Sequence, residues 1–324
     1  MILLNKKKNI LFIYPTQWHI RYSPAFKKSI ESVFSNEKYI ISYLIWDKEK
    51  IDYDVLSFDA IIMTHQYIWN EKEYNNKNIV YCPMFDIIRS YGKSYLERIY
   101  NNTKLICFST PIRYLIPHLK CIDVRYMENP NIFVNKANFK NGRNLFYWNR
   151  IGLYDHNFII KMCINLNINK LFLIDSNSEN ISIYHKINNN KNINVVLLKN
   201  KFVNNYEYLK SLDEVNINLC PRSCEGIGLS SLEQFSRGSV LISFNSYSLK
   251  DYIKHKKNGY LLNSPKILPS IDNNDYRIVT DDQDWKYISS LPIEKMGYNV
   301  LNDSQVLYDK WVLDKKKIED FVLS

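Results

Sequence analysis

Glycine is scarce in this sequence, with 8 residues in 324, and proline is little commoner at 10. So little of either excludes a collagen-like chain and a low-complexity linker. No apolar run approaches the roughly 18 residues that a membrane-spanning helix needs. The opening MILLNKKKNILFIYP also lacks the apolar core and cleavage site of a signal peptide. Six cysteines, Cys82, Cys107, Cys121, Cys163, Cys220 and Cys224, are scattered through apolar surroundings. They read as buried, reduced thiols, and Cys220-x3-Cys224 has no second ligand pair to make a zinc site. The expected location is the cytoplasm or the inner face of the cytoplasmic membrane.

Acidic residues are outnumbered too, 33 against 43 Lys+Arg, which leaves a formal charge of +10 and a pI near 9.0. Split at residue 140, the first part has 20 basic against 13 acidic residues (+7), and the second 23 against 20 (+3). A basic lean of this kind suits an anionic partner such as a phospholipid surface or a phosphate-bearing acceptor. No Arg/Lys stripe emerges, so a merely solvated basic face is the plainer reading, and of the anionic partners nucleic acid is the weakest expectation. At 46% apolar and 14% aromatic the chain can bury a sizeable core. Its length favours two domains, expected at 1–140 and 141–300 with a closing helix over 301–324 that packs back toward the first.

Short β-branched and aromatic runs alternate with longer amphipathic stretches, the signature of parallel sheets flanked by helices. Strands are expected at 9–14, 39–46, 59–64, 79–82, 104–108 and 122–125, with helices at 24–34 and 90–100. The rhythm restarts at 145–148, 170–174, 194–198, 215–219 and 239–244. Helices are expected near 155–166, 178–189, 204–212, 229–237, 248–255 and 304–322, and a loop at 265–284. The fold class is therefore α/β with two doubly wound, Rossmann-like domains and a cleft between them. In such sheets ligands bind beyond the carboxyl ends of the strands.

Three of the eight glycines fall in one stretch, CEGIGLSSLEQFSRGSVLIS, residues 224–243. A strand-to-helix loop holding Gly226 and Gly228 lets backbone approach a ligand closely, and the start of the following helix offers free N–H groups to a diphosphate. Glu225 would lie in that loop and Glu233 one turn into the helix. The first could face a group beyond the phosphates and the second accept two ribose hydroxyls. A plainer reading makes Ser230-Ser231-Leu232-Glu233 a capping box, with the two glycines forming an ordinary turn.

From Tyr206 to Leu262 the chain resembles the donor-binding half of retaining GT-B glycosyltransferases of family 4. The match runs through P-x-x-x-E-G-x-G-L-x-x-x-E, a small residue plus glycine, a strand, and a closing N-G-Y-L. The resemblance implies that Glu225 contacts the transferred sugar and that Glu233 accepts from the ribose. Gly226, Ile227, Gly228 and Leu229 would then form the backbone under the diphosphate. It implies a metal-independent enzyme with no cofactor beyond its nucleotide-diphosphate sugar, UDP or GDP. The acceptor would be a glycan or lipid-linked glycan of bacterial surface polysaccharide or lipopolysaccharide.

The chain also departs from that family. Where it usually has Gly-Arg and then a Lys, this sequence has Asn149-Arg150 and then Asp155 or His156. Diphosphate contacts would rest on Arg150 with Arg222 or Lys199. The glycine-rich loop after the first strand is replaced by Tyr14-Pro15-Thr16-Gln17-Trp18. His65, directly after a strand, is the next catalytic candidate, able to hydrogen-bond the sugar or handle the acceptor proton. Trp18, His19 and Arg21 form an acceptor-rim candidate. Asp52-Tyr53-Asp54 and Asp282-Gln283-Asp284 do not follow apolar strands, so they read as solvated loops and not as a metal site. Two rival readings are a catalytically silent GT-B subunit supporting a partner enzyme and a nucleic-acid-modifying glucosyltransferase.

Overall fold

The computed structural model describes residues 7–15, 30–46, 57–64, 67, 78–133, 135–149, 154, 156–175, 181–189, 193–198, 210, 212–222, 226–245, 248–263 and 282–324. The chain forms two compact units: 1–128 with 225–229 and 307–324, and 129–224 with 230–306.

The first unit is built on six parallel strands: β1 (Lys8–Pro15), β2 (Tyr39–Trp46), β3 (Ala60–Thr64), β4 (Ile79–Cys82), β5 (Lys104–Cys107) and β6 (Lys120–Asp123). Their order is β2-β1-β3-β4-β5-β6. Continuous apolar runs such as NILFIY and AIIMT bury both faces, and Ile10 to Ile13 have no exposed surface. The last strand lies two residues earlier than the expected 122–125. Its register with β5, Lys104↔Lys120 through Cys107↔Asp123, sets those limits. Among the described residues of this unit, short helices lie between β4 and β5, α1 (Phe85–Ile88) and α2 (Lys93–Leu96), and between β5 and β6, α3 (Ile112–Leu115). The helix expected over 90–100 shrinks to α2, which starts only after Gly92 at its N-cap and gives way to turns before Lys104.

The second unit also has six parallel strands: β7 (Arg143–Asn149), β8 (Ile168–Asp175), β9 (Asn194–Leu198), β10 (Ile217–Leu219), β11 (Val240–Phe244) and β12 (Gly259–Leu262). Read from β9 the order is β9-β8-β7-β10-β11-β12. Its helices are α4 (His156–Asn165), α5 (Ile181–Asn188), α6 (Leu229–Arg237) and α7 (Asp282–Ile288). A final helix, α8 (Ile293–Leu323), starts eleven residues before the expected 304. Its residues from Leu307 onward belong to the first unit. There Trp311 is fully buried against Phe108 and Tyr126, with ring centroids 6.3 and 5.4 Å away. Asp314, also fully buried, accepts from Lys317 Nζ at 2.7 Å, and Glu319 accepts from the Tyr39 hydroxyl at 2.7 Å.

Two expectations in the second unit are corrected. The helix expected over 248–255 is a single 3-10 turn, Leu249–Asp251, because the chain turns at Lys256, with φ at +61°, to enter β12. Asp282-Gln283-Asp284 is no solvated loop but the first turn of α7. Asp284 is almost wholly buried and accepts from the Tyr260 hydroxyl at 3.0 Å and from the Asn263 N–H at 3.2 Å. That carboxylate ties the end of β12 to α7, which is why it is buried. Asp52-Tyr53-Asp54 lies outside the described residues.

Candidate functional site

Strand order identifies where a ligand would bind. The second sheet grows outward from β7 through β8 to β9, then returns to place β10 on the other side of β7. The order reverses between β7 and β10, which makes the carboxyl ends of those two strands the switch point of a 3-2-1-4-5-6 sheet. In the sequence, the GIGL segment comes next after β10 and before α6.

Local packing holds both strand ends. The Cys220 N–H donates to Ile242 O at 2.9 Å, continuing the β10 ladder for one residue. Its carbonyl accepts from the Tyr154 hydroxyl at 3.1 Å, and its Sγ receives a hydrogen bond from Ser231 Oγ at 3.3 Å. Tyr154 is clamped by rings, stacked on Phe158 and Phe244 with centroids 4.6 and 5.5 Å away. Burial drives its phenol well above the ordinary 10.0, so it stays a donor at any physiological pH. On β7, the Tyr147 hydroxyl donates to Asn149 Oδ1 at 3.1 Å, and Asn149 is fully buried. Both ends of the segment from Cys220 to Ser231 are thus tied, and Tyr154, which holds the first, is a residue that the sequence reading did not single out. Tyr154 lies beyond the end of β7 and Tyr147 within a strand buried on both faces, so both read as core from the sequence.

Each glycine of this stretch has its own cause. Gly228 has φ at +77°, a conformation that side chains with Cβ rarely adopt. Gly226 needs space instead: a Cβ there would come within 2.7 Å of Asp86 Oδ1 and 3.0 Å of Met84 Cβ, which lie with it in the first unit. Gly238, at φ +99°, closes α6, its N–H donating to Phe235 O at 2.9 Å.

Helix α6 begins at Leu229, so Ser230 lies inside it and cannot be the N-cap that a capping box with Glu233 requires. Glu233 is half-buried, on a helix that otherwise buries Ser231, Leu232, Gln234, Phe235, Ser236 and Arg237. Arg222 is half-buried, two residues beyond Cys220. Ile227 and the two glycines beside it are buried, and Leu229 is half-buried. Glu225, Arg150, Lys199, His65, Trp18, His19 and Arg21 lie outside the described residues. The described strands still fix what precedes them. Arg150 follows β7, His65 follows β3, and residues 18–21 follow β1, whereas Lys199 follows β9, the edge strand of its sheet. Among the described residues, no group of three His, Cys, Asp or Glu side chains is placed to hold a metal, and no helix is long and apolar enough to cross a membrane.

No protein-family model matches the sequence, and no curated protein matches it. Solved structures do. The lipopolysaccharide outer core galactosyltransferase WaaB matches at a TM-score of 0.63 and 13% identity, covering 97% of this chain and 99% of its own. Sucrose-phosphate synthase from Thermosynechococcus elongatus matches at 0.63 and 10% identity, covering 97% and 98%. Anabaena HepE, solved with UDP and glucose, matches at 0.55 and 10% identity, covering 97% and 98%. At such identities the likeness is one of fold: two Rossmann-like parallel sheets in the GT-B class.

Proposed function

We propose that this chain is a retaining glycosyltransferase that moves a sugar from a nucleotide-diphosphate donor to a hydroxyl of a glycan acceptor. The observation that carries the proposal is the position of the GIGL segment. It stands in the chain between β10, a switch-point strand of the second sheet, and α6, which it enters through a left-handed glycine, with Glu233 one turn into the helix. The fold supports it, since its solved likenesses are glycosyltransferases and HepE was solved with UDP and glucose.

In this proposal Gly226, Ile227, Gly228 and Leu229 present backbone to the diphosphate, and the positive end of α6 favours its charge. Arg150 and Arg222 supply the side-chain cations. Glu233 accepts from the ribose, and Glu225 holds the sugar hydroxyls and supports positive charge developing at the anomeric carbon. In the transfer the bond from that carbon to the diphosphate breaks as one forms to the acceptor oxygen on the same face. The acceptor's proton leaves with the departing diphosphate or passes through His65. Most of the rate then comes from positioning and from electrostatic stabilisation of the leaving group. A surface polysaccharide or lipopolysaccharide acceptor, with lipid-linked glycan at an anionic membrane, is consistent with the +7 balance of residues 1–140.

The catalytically silent reading draws on Asp155 and His156 standing where the family has its second phosphate-binding Lys. A thermal-shift screen over UDP, GDP, ADP and CMP sugars, followed by donor turnover, decides between the two. A ligand that binds only the folded state raises the melting temperature. The transferase reading expects one donor to do so and to release its sugar. Binding without release across all donors favours the silent subunit, and no binding at all rejects both.

A further inference from the structure

We propose a second carbohydrate site at the amino-terminal edge of the first sheet, opposite the carboxyl ends to which the transfer is assigned. A cavity of about 550 Å³ opens there, lined by Lys8, Asp59, Asn78, Asn102, Lys104 and the chain's final two residues. The first five stand at, or within two residues before, the starts of β1, β3, β4 and β5. Parallel strands bring all those starts to one edge. The hollow is open to solvent and its lining is mainly polar.

The lining selects by chemistry. Asn78 donates from Nδ2 to Val322 O, while its Oδ1 is buried and meets no donor among the described residues. Asp59 Oδ2 already holds the Asn9 N–H at 2.7 Å. Lys104 Nζ lies 3.4 Å from Val322 O and 5.8 Å from the Phe321 ring, which Lys120 Nζ also approaches at 5.6 Å. An anion in this cavity would face the Asp59 carboxylate, and a cation would face two ammonium groups. A neutral, hydroxyl-rich molecule meets neither obstacle. It can donate to Asp59 and accept from Lys8 and Lys104. A sugar unit has that pattern of donors and acceptors. The biological sense of the site rests on the transferase reading: glycan already made is held away from the reacting end.

The test follows the Asn78 and Asn102 side-chain amides by NMR during titration of the full chain with glucose, galactose and N-acetylglucosamine. Separate titrations use inorganic phosphate and UDP. At least one sugar is expected to shift both amides, with affinity unchanged by saturating UDP. Lys8→Ala removes an exposed side chain from the first position of β1 and should weaken that sugar about fivefold, the loss expected for one hydrogen bond. The proposal is overturned if no sugar shifts these amides, if phosphate shifts them and sugars do not, or if Lys8→Ala binds as tightly as the natural chain. Failure of the transferase reading is separate, because it would leave these shifts intact while the nucleotide-sugar screen stayed blank.

Discussion

The two sheets each have six parallel strands, but they reverse direction at different points. The first turns back after a single outward step, so its switch point lies between β1 and β3. The second turns back after two steps, so its switch point lies between β7 and β10. The expected acceptor residues follow β1 and the catalytic candidate His65 follows β3, and all the donor-side residues except Lys199 follow β7 or β10. Function in this fold is thus assigned to two crevices of the same topological origin. They differ in how the chain enters them: the first sheet offers Tyr14-Pro15 and Thr64, the second a glycine-shaped turn into a helix. Among the described residues, the left-handed glycine that leads into a helix beyond a strand end, Gly228, belongs to the second of these.

That contrast can be broken at several places. The largest expected effect is on the first unit, whose core includes the last turns of α8. Trp311→Ala empties a fully buried ring site and should cost roughly 3–5 kcal/mol, read by urea unfolding. Equal destabilisation of the second unit would undo the assignment of those turns to the first. Next come the two left-handed glycines that bracket α6. Gly228→Ala and Gly238→Ala should each cost about 1–2 kcal/mol through their backbone conformation. Only Gly228→Ala should also weaken nucleotide binding, and calorimetry on both variants separates the two effects.

The smallest effect concerns pH, and the units should respond in different windows. In the second unit, His255 Nδ1 accepts the Leu261 N–H at 3.1 Å, and burial, then the Lys256 charge, holds the imidazole below its ordinary 6.5. The unfolded chain therefore takes up the proton more readily. Stability is complete above pH 6.5 and declines as the pH falls below it. In the first unit, the Tyr39 hydroxyl and then Lys316 hold Glu319 below its ordinary 4.5, so that contribution is lost only in stronger acid. His255→Asn, which keeps an acceptor without a titrating group, should flatten the slope below pH 6.5 in a melting-temperature series. An unchanged slope would assign it to another group.

Much of this was legible because a buried parallel strand is a continuous apolar run. Tyr39–Trp46, Ile79–Cys82, Asn194–Leu198 and α6 have the limits that their patterns imply. β12 was not anticipated as a strand, because Gly259-Tyr260-Leu261-Leu262 is short and follows a turn of Lys and Asn. Asp284 was misjudged because two charges around a glutamine resemble a surface loop, and nothing local reveals that Tyr260 and Asn263 bury one of them. At the candidate site, the spacing of Glu225 and Glu233 and the pair of glycines were visible in the chain. Their support was not: Tyr154, Ser231 and Cys220 meet only through folding, and the pressure of Met84 and Asp86 on Gly226 comes from residues some 140 positions away.

The central claim is that the turn into α6 holds a nucleoside diphosphate with Glu233 on its ribose. Calorimetric titration of UDP and GDP into the natural chain, Glu233→Ala and Glu225→Ala tests it directly. The account predicts that Glu233→Ala loses about tenfold or more in nucleotide affinity, the scale of losing hydrogen bonds to a charged acceptor, while Glu225→Ala binds nearly as the natural chain does and turns over poorly. Equal affinity in the natural chain and Glu233→Ala would contradict it.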